Sequence, residues 1–155
     1  MNQLLLSGIL LVATTAGAAP LLTLKIQSGK TKPEDAFQIT CSLSEDGNTI
    51  SGTRYQGYSS TGNWDQEIQI HQDVMESEKT QVITWIAEAS NGPFQSSRNP
   101  CDIGTEIIEA EIPGQSKTVL LKSLDCGRRT VNLNPSAQSL ISWIRLGCNV
   151  ARKKP

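Results

Sequence analysis

The sequence predicts a mainly β domain, an antiparallel β-sandwich or barrel-like fold closed by a short C-terminal α-helix. Three observations carry that expectation. Short segments in which apolar and polar side chains alternate recur from Leu22 to Leu133. Turn-forming clusters such as "SEDGN" and "STGN" separate them. The period then changes once, at Ala137, to apolar residues three and four apart.

The chain begins "MNQLLLSGILLVATTAGAA", apolar from Leu4 to Ala13 apart from Ser7, without an acidic residue, and ending on small side chains. That is the pattern of a secretory signal peptide; Ala16 and Ala18 suit a cut after residue 18, and Gly17 and Ala19 suit one after residue 19 almost as well. The apolar run is shorter than the roughly 20 residues of a spanning helix. Residues 1–18 are therefore expected as signal peptide and 19–155 as a single secreted, disulfide-stabilised domain.

In "LTLKIQ" at 22–27, Leu22, Leu24 and Ile26 alternate with polar neighbours, as in a half-buried strand. "AFQITCSL" at 36–43 repeats the pattern, with Phe37, Ile39, Cys41 and Leu43 on one face, which puts Cys41 where a bridge ties two layers together. "TISGTRYQGY" reads as a strand interrupted by Gly52 and Gly57, marks of a bulge or close backbone approach. In "WDQEIQIHQ", Trp64, Ile68 and Ile70 share a parity. "TQVITWIAEA", apolar on both alternating faces, is expected as a central, covered strand. "NGPFQSSRNPCDIG" is expected as a long irregular connection, followed by strands in "TEIIEAEI", "KTVLL" and "RTVNL" and a turn at Pro113 and Gly114. Asn134 is the expected N-cap and Pro135 the first residue of the helix. Ala137, Leu140, Ile141 and Ile144 form its buried stripe and Gly147 its stop.

Four cysteines, Cys41, Cys101, Cys126 and Cys148, suit complete disulfide pairing in an exported chain and contain no CxxC spacing. Three connectivities are possible; sequential loop closure favours Cys41 with Cys101 and Cys126 with Cys148. "CGRR", with Arg128 and Arg129, resembles the dibasic cleavage signal of peptide-hormone precursors. The strand and helix patterns that follow it predict an uncut chain instead.

With 14 basic and 15 acidic residues the net charge of −1 gives no general attraction to nucleic acid or, after signal cleavage, to a membrane. His71 is the single histidine, which excludes a two-histidine zinc site and an H-E-x-x-H protease within one chain. No G-x-S-x-G elbow is present, and no cofactor, metal or catalytic set is expected. Asp46 and Asn48 flank Gly47 as a turn rather than a calcium loop. Two groups of acids, Asp65 with Glu67 and Glu106 with Glu109 and Glu111, support a carboxylate-dependent glycan hydrolase as the least favoured alternative; alternation with Ile108, Ala110 and Ile112 already explains Glu109 and Glu111 as the solvated face of a strand.

Two resemblances are local. "FQITCSL" resembles strand B of immunoglobulin-like domains, although Trp64 follows Cys41 too late for that pattern and "RNPCDIG" lacks the tyrosine two residues before the second cysteine. "SGTRY", Ser51 to Tyr55, resembles the SGxxY motif of bacterial periplasmic lysozyme inhibitors, which implies an enzyme-binding surface there; their Tyr-x-x-x-Thr-Lys-Gly partner motif is missing. Neither assigns a family.

The functional expectation is a secreted protein-binding domain, with hydrolase or protease inhibition its sharpest form and a structural or surface-associated role the alternative. The partner is an unidentified extracellular or periplasmic protein. Arg54, Tyr55, Tyr58, Trp64, Phe94 and Arg98 are the candidate contact residues, aromatic and arginine side chains in two glycine-containing stretches. In "SSRNPC", Arg98 beside the staple Cys101 suits the acidic pocket of a trypsin-like protease.

Overall fold

The computed structural model describes residues 19–29, 32–89, 92–111 and 116–149. The expected signal peptide at 1–18 and the expected turn at Pro113 and Gly114 lie outside the described residues. Eight strands form one sheet: β1 (Leu22–Gln27), β2 (Phe37–Leu43), β3 (Thr49–Tyr58), β4 (Trp64–Asp73), β5 (Phe94–Arg98), β6 (Thr105–Ala110), β7 (Thr118–Ser123) and β8 (Arg128–Asn132). Their spatial order is β4-β3-β2-β1-β6-β7-β8-β5, and every neighbouring pair is antiparallel. Two helices, α1 (Glu76–Ala89) and α2 (Pro135–Gly147), complete the fold.

The mainly β architecture and the C-terminal helix match the sequence. A sandwich or barrel closure is not formed among the described residues: the sheet has no partner sheet, and no ladder joins β4 to β5. Helices supply the second layer instead. Leu22, Leu24, Ile39, Cys41, Leu43, Ile50 and Ile108 line one sheet face and are buried with Val82 and Ile86 of α1 and Leu140 and Ile144 of α2. An irregularity opposite Ile108 and Glu109 puts both Leu120 and Leu121 of β7 into that core, the local two-against-one count of a β-bulge.

Helix α1 corrects the strand expected over "TQVITWIAEA". The buried positions are Val82, Ile86 and Ala89, with Trp85 half-buried, which is a helical stripe at three- and four-residue spacing. Its β-branched run also fits a strand, but the preceding "ESEK" extends the segment with good helix formers and places Glu76 and Glu78 at the positive end of the helix dipole. Strand β5 corrects the irregular connection expected around Phe94 to Arg98. All five of its residues are exposed, so no apolar alternation marks it.

The disulfides are Cys41–Cys148 and Cys101–Cys126, not the sequential pairs. Cys41 on β2 thereby ties the sheet to the end of α2, the interlayer role its place in the alternation suggests. The same pairing removes the immunoglobulin-like comparison, whose bridge joins two strands of facing sheets.

Helix α2 starts as expected. The Asn134 side-chain oxygen accepts from the Ser136 and Ala137 N–H groups at 2.8 and 3.4 Å. Asn134→Ala should therefore destabilise by about 1 kcal/mol, seen as a lower urea midpoint at unchanged slope. The stop differs from expectation: Asn149, with φ 54°, takes the left-handed conformation. Gly147 has another function. A Cβ there would stand 2.4 Å from Ile50 Cδ1, so its bareness lets α2 settle on β3.

Candidate functional site

The six candidate contact residues do not form one patch. Tyr55, Tyr58 and Trp64 gather on the β3–β4 hairpin, whereas Phe94 and Arg98 lie on β5. These are opposite ends of the strand order, about 34 Å apart when followed along the sheet at the usual strand spacing. Arg54 is committed to the fold. Its guanidinium donates to the Asn149 carbonyl at 3.2 Å and to Gln56 Oε1 at 3.3 Å and lies 6.0 Å from the centre of the Phe37 ring.

The hairpin cluster is built locally. Tyr55 and Tyr58 would face opposite sides of an unbroken strand, but Gly57 has φ 69° and interrupts the alternation. A Cβ at Gly57 would also meet Asp65 Oδ2 at 2.6 Å. Both tyrosines consequently reach Trp64: the Tyr55 ring stacks at 5.8 Å between centroids, and the Tyr58 ring meets it edge-on at 5.3 Å. The turn beyond them is held by Ser59, whose N–H donates to the Asn63 carbonyl and whose hydroxyl pairs with Thr61. Trp64 is half-buried and Tyr58 is 42% exposed, so the cluster has an anchored base and an accessible side.

At the other edge the sheet is basic. Arg98 and Arg128 stand directly opposite each other in the β5–β8 ladder, both exposed. Among the described residues neither forms an ion pair with a carboxylate. They line a shallow cleft of about 530 Å³ with Ser96, Ser97, Cys126 and Gly127. Next to Arg98 in the chain, buried Asn99 donates to Ser123 Oγ at 2.6 Å and to the Leu124 carbonyl at 3.1 Å, and the Cys101–Cys126 bridge ties the chain just beyond it. Arg98 thus projects from a strand rather than from the free inhibitory loop expected in "SSRNPC". Arg128 and Arg129 belong to β8, laddered to β5 and β7, which removes the extended, unpaired backbone a processing protease requires.

The remaining candidates have structural partners. Glu106 accepts both arms of the Arg145 guanidinium, tying β6 to α2. Glu111 pairs with Lys117 at 3.4 Å. His71 and Asp73, 3.8 Å apart, are an exposed pair on β4. Asp46 accepts from Ser44 Oγ at 2.5 Å and from the Asn48 N–H at 3.1 Å, bonds that hold its carboxyl below the ordinary value of 3.8 and identify a turn. Neither this cleft nor a smaller one of about 220 Å³ over β1 and β2 is lined by a carboxylate. Among the described residues no three His, Cys, Asp or Glu side chains cluster as metal ligands, and no helix is long and apolar enough to cross a membrane.

Sequence reasoning missed the role of Asn132, which is fully buried. It donates to the Ala89 carbonyl at 2.7 Å and accepts from the Asn134 N–H at 3.0 Å, joining the end of α1 to the start of α2. The sequence marks Arg128 only as half of a dibasic pair expected to stay uncut, and Glu67 only as one of a pair of acids with Asp65. Their significance depends on which strands become sheet edges, information that only the strand order supplies. No protein-family model matches the chain, and no curated protein is significantly similar to it.

Proposed function

We propose that this chain is an exported, non-catalytic protein-binding domain that captures an extracellular or periplasmic protein through the β3–β4 aromatic hairpin, hydrolase inhibition being the sharpest form. The observation that carries this reading is Trp64 held between Tyr55 and Tyr58 on an accessible hairpin. Large aromatic side chains already fixed by their neighbours gain contact area on binding while losing little rotamer freedom. The two intramolecular disulfides are consistent with an oxidising, non-cytoplasmic compartment, and the signal-like amino terminus supplies the export route. A structural or surface-associated role is the second reading, favoured by the two sheet edges, β4 and β5, that have no partner strand among the described residues.

The test is capture of a partner by the oxidised mature chain, then measurement of its affinity and, for an enzyme, of its inhibition. Trp64→Ala should weaken that complex by about 30-fold, the scale of a central aromatic contact, without altering the far-ultraviolet circular dichroism of the free domain. Tyr58→Ala should weaken it less, and Arg98→Ala should leave it unchanged. Full affinity in both aromatic variants would remove the hairpin as the binding surface.

A further inference from the structure

We propose that copies of this domain associate head to tail, the β5 edge of one adding as a strand to the β4 edge of the next. This inference does not rest on capture of a foreign protein by the aromatic hairpin.

Among the described residues both edges are unpaired along their outer sides, and they differ in charge. On the sheet face turned away from the helices, β4 presents Asp65, Glu67 and Asp73, while β5 and its neighbour β8 present Arg98 and Arg128. An exposed edge is a template for another strand, and natural domains blunt it with charged side chains, above all lysine, with proline, a bulge or a very short strand. Neither β4 nor β5 contains lysine or proline, and the charges that would keep like edges apart are opposite in sign on the two strands, so they favour pairing of one edge with the other. Like charges directly opposite in a ladder are unfavourable, and Arg98 with Arg128 is such a pair. A carboxylate arriving at the outer side of β5 offsets that repulsion.

Topology makes the two edges compatible. Eight strands in strictly alternating direction leave β4 and β5 antiparallel to each other. A second copy can therefore continue the ladder without inversion, keeping its helices on the same side. Register is also favourable. The ladder row that starts at Ser96 passes through Thr130, Lys122, Lys25 and Thr53 and ends at Gln69 on β4. Continuing that row into the next copy sets Ser96 against Gln69, Arg98 against Glu67 and Phe94 against His71. Trp64 and Tyr58 remain outside the five-residue paired stretch.

The same charges discriminate against symmetric alternatives. Two β4 edges paired about a two-fold axis at Gln69 would set Asp65 against Asp73 and Glu67 against His71, and two β5 edges paired about Ser96 would set Arg98 against Phe94 and supply no carboxylate to either arginine. A heterologous contact that does not close generates an open helical array rather than a dimer. Sheet twist sets the rotation between successive copies.

Charge exchange tests the contact. Sedimentation velocity of the oxidised mature chain, from micromolar to millimolar, should show mass rising through successive species, with dissociation at high salt. Glu67→Arg and Arg98→Glu should each weaken self-association by about 30-fold, because each places like charges across the junction. An equimolar mixture of the two variants should restore it, since each then supplies the edge the other lacks; the double variant should also assemble alone. Both positions are exposed, and circular dichroism checks that the variants remain folded. A monomer at every concentration would overturn the proposal. So would a closed dimer, association indifferent to either reversal, or a mixture that fails to recover.

Discussion

Removal of the Cys41–Cys148 bridge, as Cys41→Ala/Cys148→Ala, should lower the stability of the oxidised domain by about 4–5 kcal/mol. The bridge spans 107 residues, and the loop-closure freedom it withholds from the unfolded chain grows with that span. Its position adds to the effect. Both cysteines are essentially buried, Cys41 on β2 and Cys148 at the end of α2, so the bond holds the helical layer to the sheet from inside the core. A domain of this kind has a total of about 5–15 kcal/mol, and the loss is a large fraction of it. The Cys101–Cys126 bridge closes 25 residues and should contribute about 3.5 kcal/mol on the same entropic scale. Guanidinium unfolding of the two double-alanine variants should therefore rank Cys41–Cys148 as the costlier loss. The opposite order would show that the bridge at the β5–β8 corner acts on more than the unfolded chain. Because Cys41 and Cys148 belong to different layers, their loss should also expose core surface that Cys101→Ala/Cys126→Ala leaves covered.

The parts of this architecture that were legible are those where burial follows local alternation. Strands β1, β2 and β6 bury alternate residues, so Leu22, Leu24, Ile39, Cys41 and Ile108 announce their face in the sequence. Helix α2 carries both a three- and four-residue stripe and a capping asparagine. Helix α1 was obscured because Val82, Ile83, Thr84 and Ile86 have strand-like branching, and tertiary burial of Val82, Ile86 and Ala89 decided the matter. Strand β5 has no buried face to leave a pattern. Disulfide connectivity and the meeting of Arg98 with Arg128 depend on long-range strand order, which local periodicity does not encode. The aromatic cluster was half legible: its members were identifiable, but their convergence depends on the left-handed Gly57.

Gly52→Ala should destabilise by about 3 kcal/mol, at the upper end of ordinary overpacking. Gly52 lies on β3 between Cys41 of β2 and Ile70 of β4, and a glycine at such a position ordinarily weakens a strand. Its retention is explained by space. A Cβ would stand 2.2 Å from the Thr40 carbonyl oxygen, 2.6 Å from Cys41 Cα and 3.0 Å from Cys41 Cβ. Two of those atoms are backbone in a paired strand, so relief requires moving β2 and with it the residue bridged to α2. The sequence had marked this glycine as a bulge or a close approach, and the structure identifies the close approach. A double-mutant cycle separates the backbone clash from a clash with the bridge. All three contact atoms survive in Cys41→Ala, so Gly52→Ala should cost nearly the same in the domain lacking Cys41–Cys148, with a coupling below about 0.5 kcal/mol despite the proximity. A much smaller cost in that background would mean that the disulfide, rather than the neighbouring strand, excludes a side chain at position 52. Additivity would instead identify two separate requirements at one place in the sheet: a covalent tie from β2 to α2, and a bare backbone on β3 that lets β2 lie close enough to carry it.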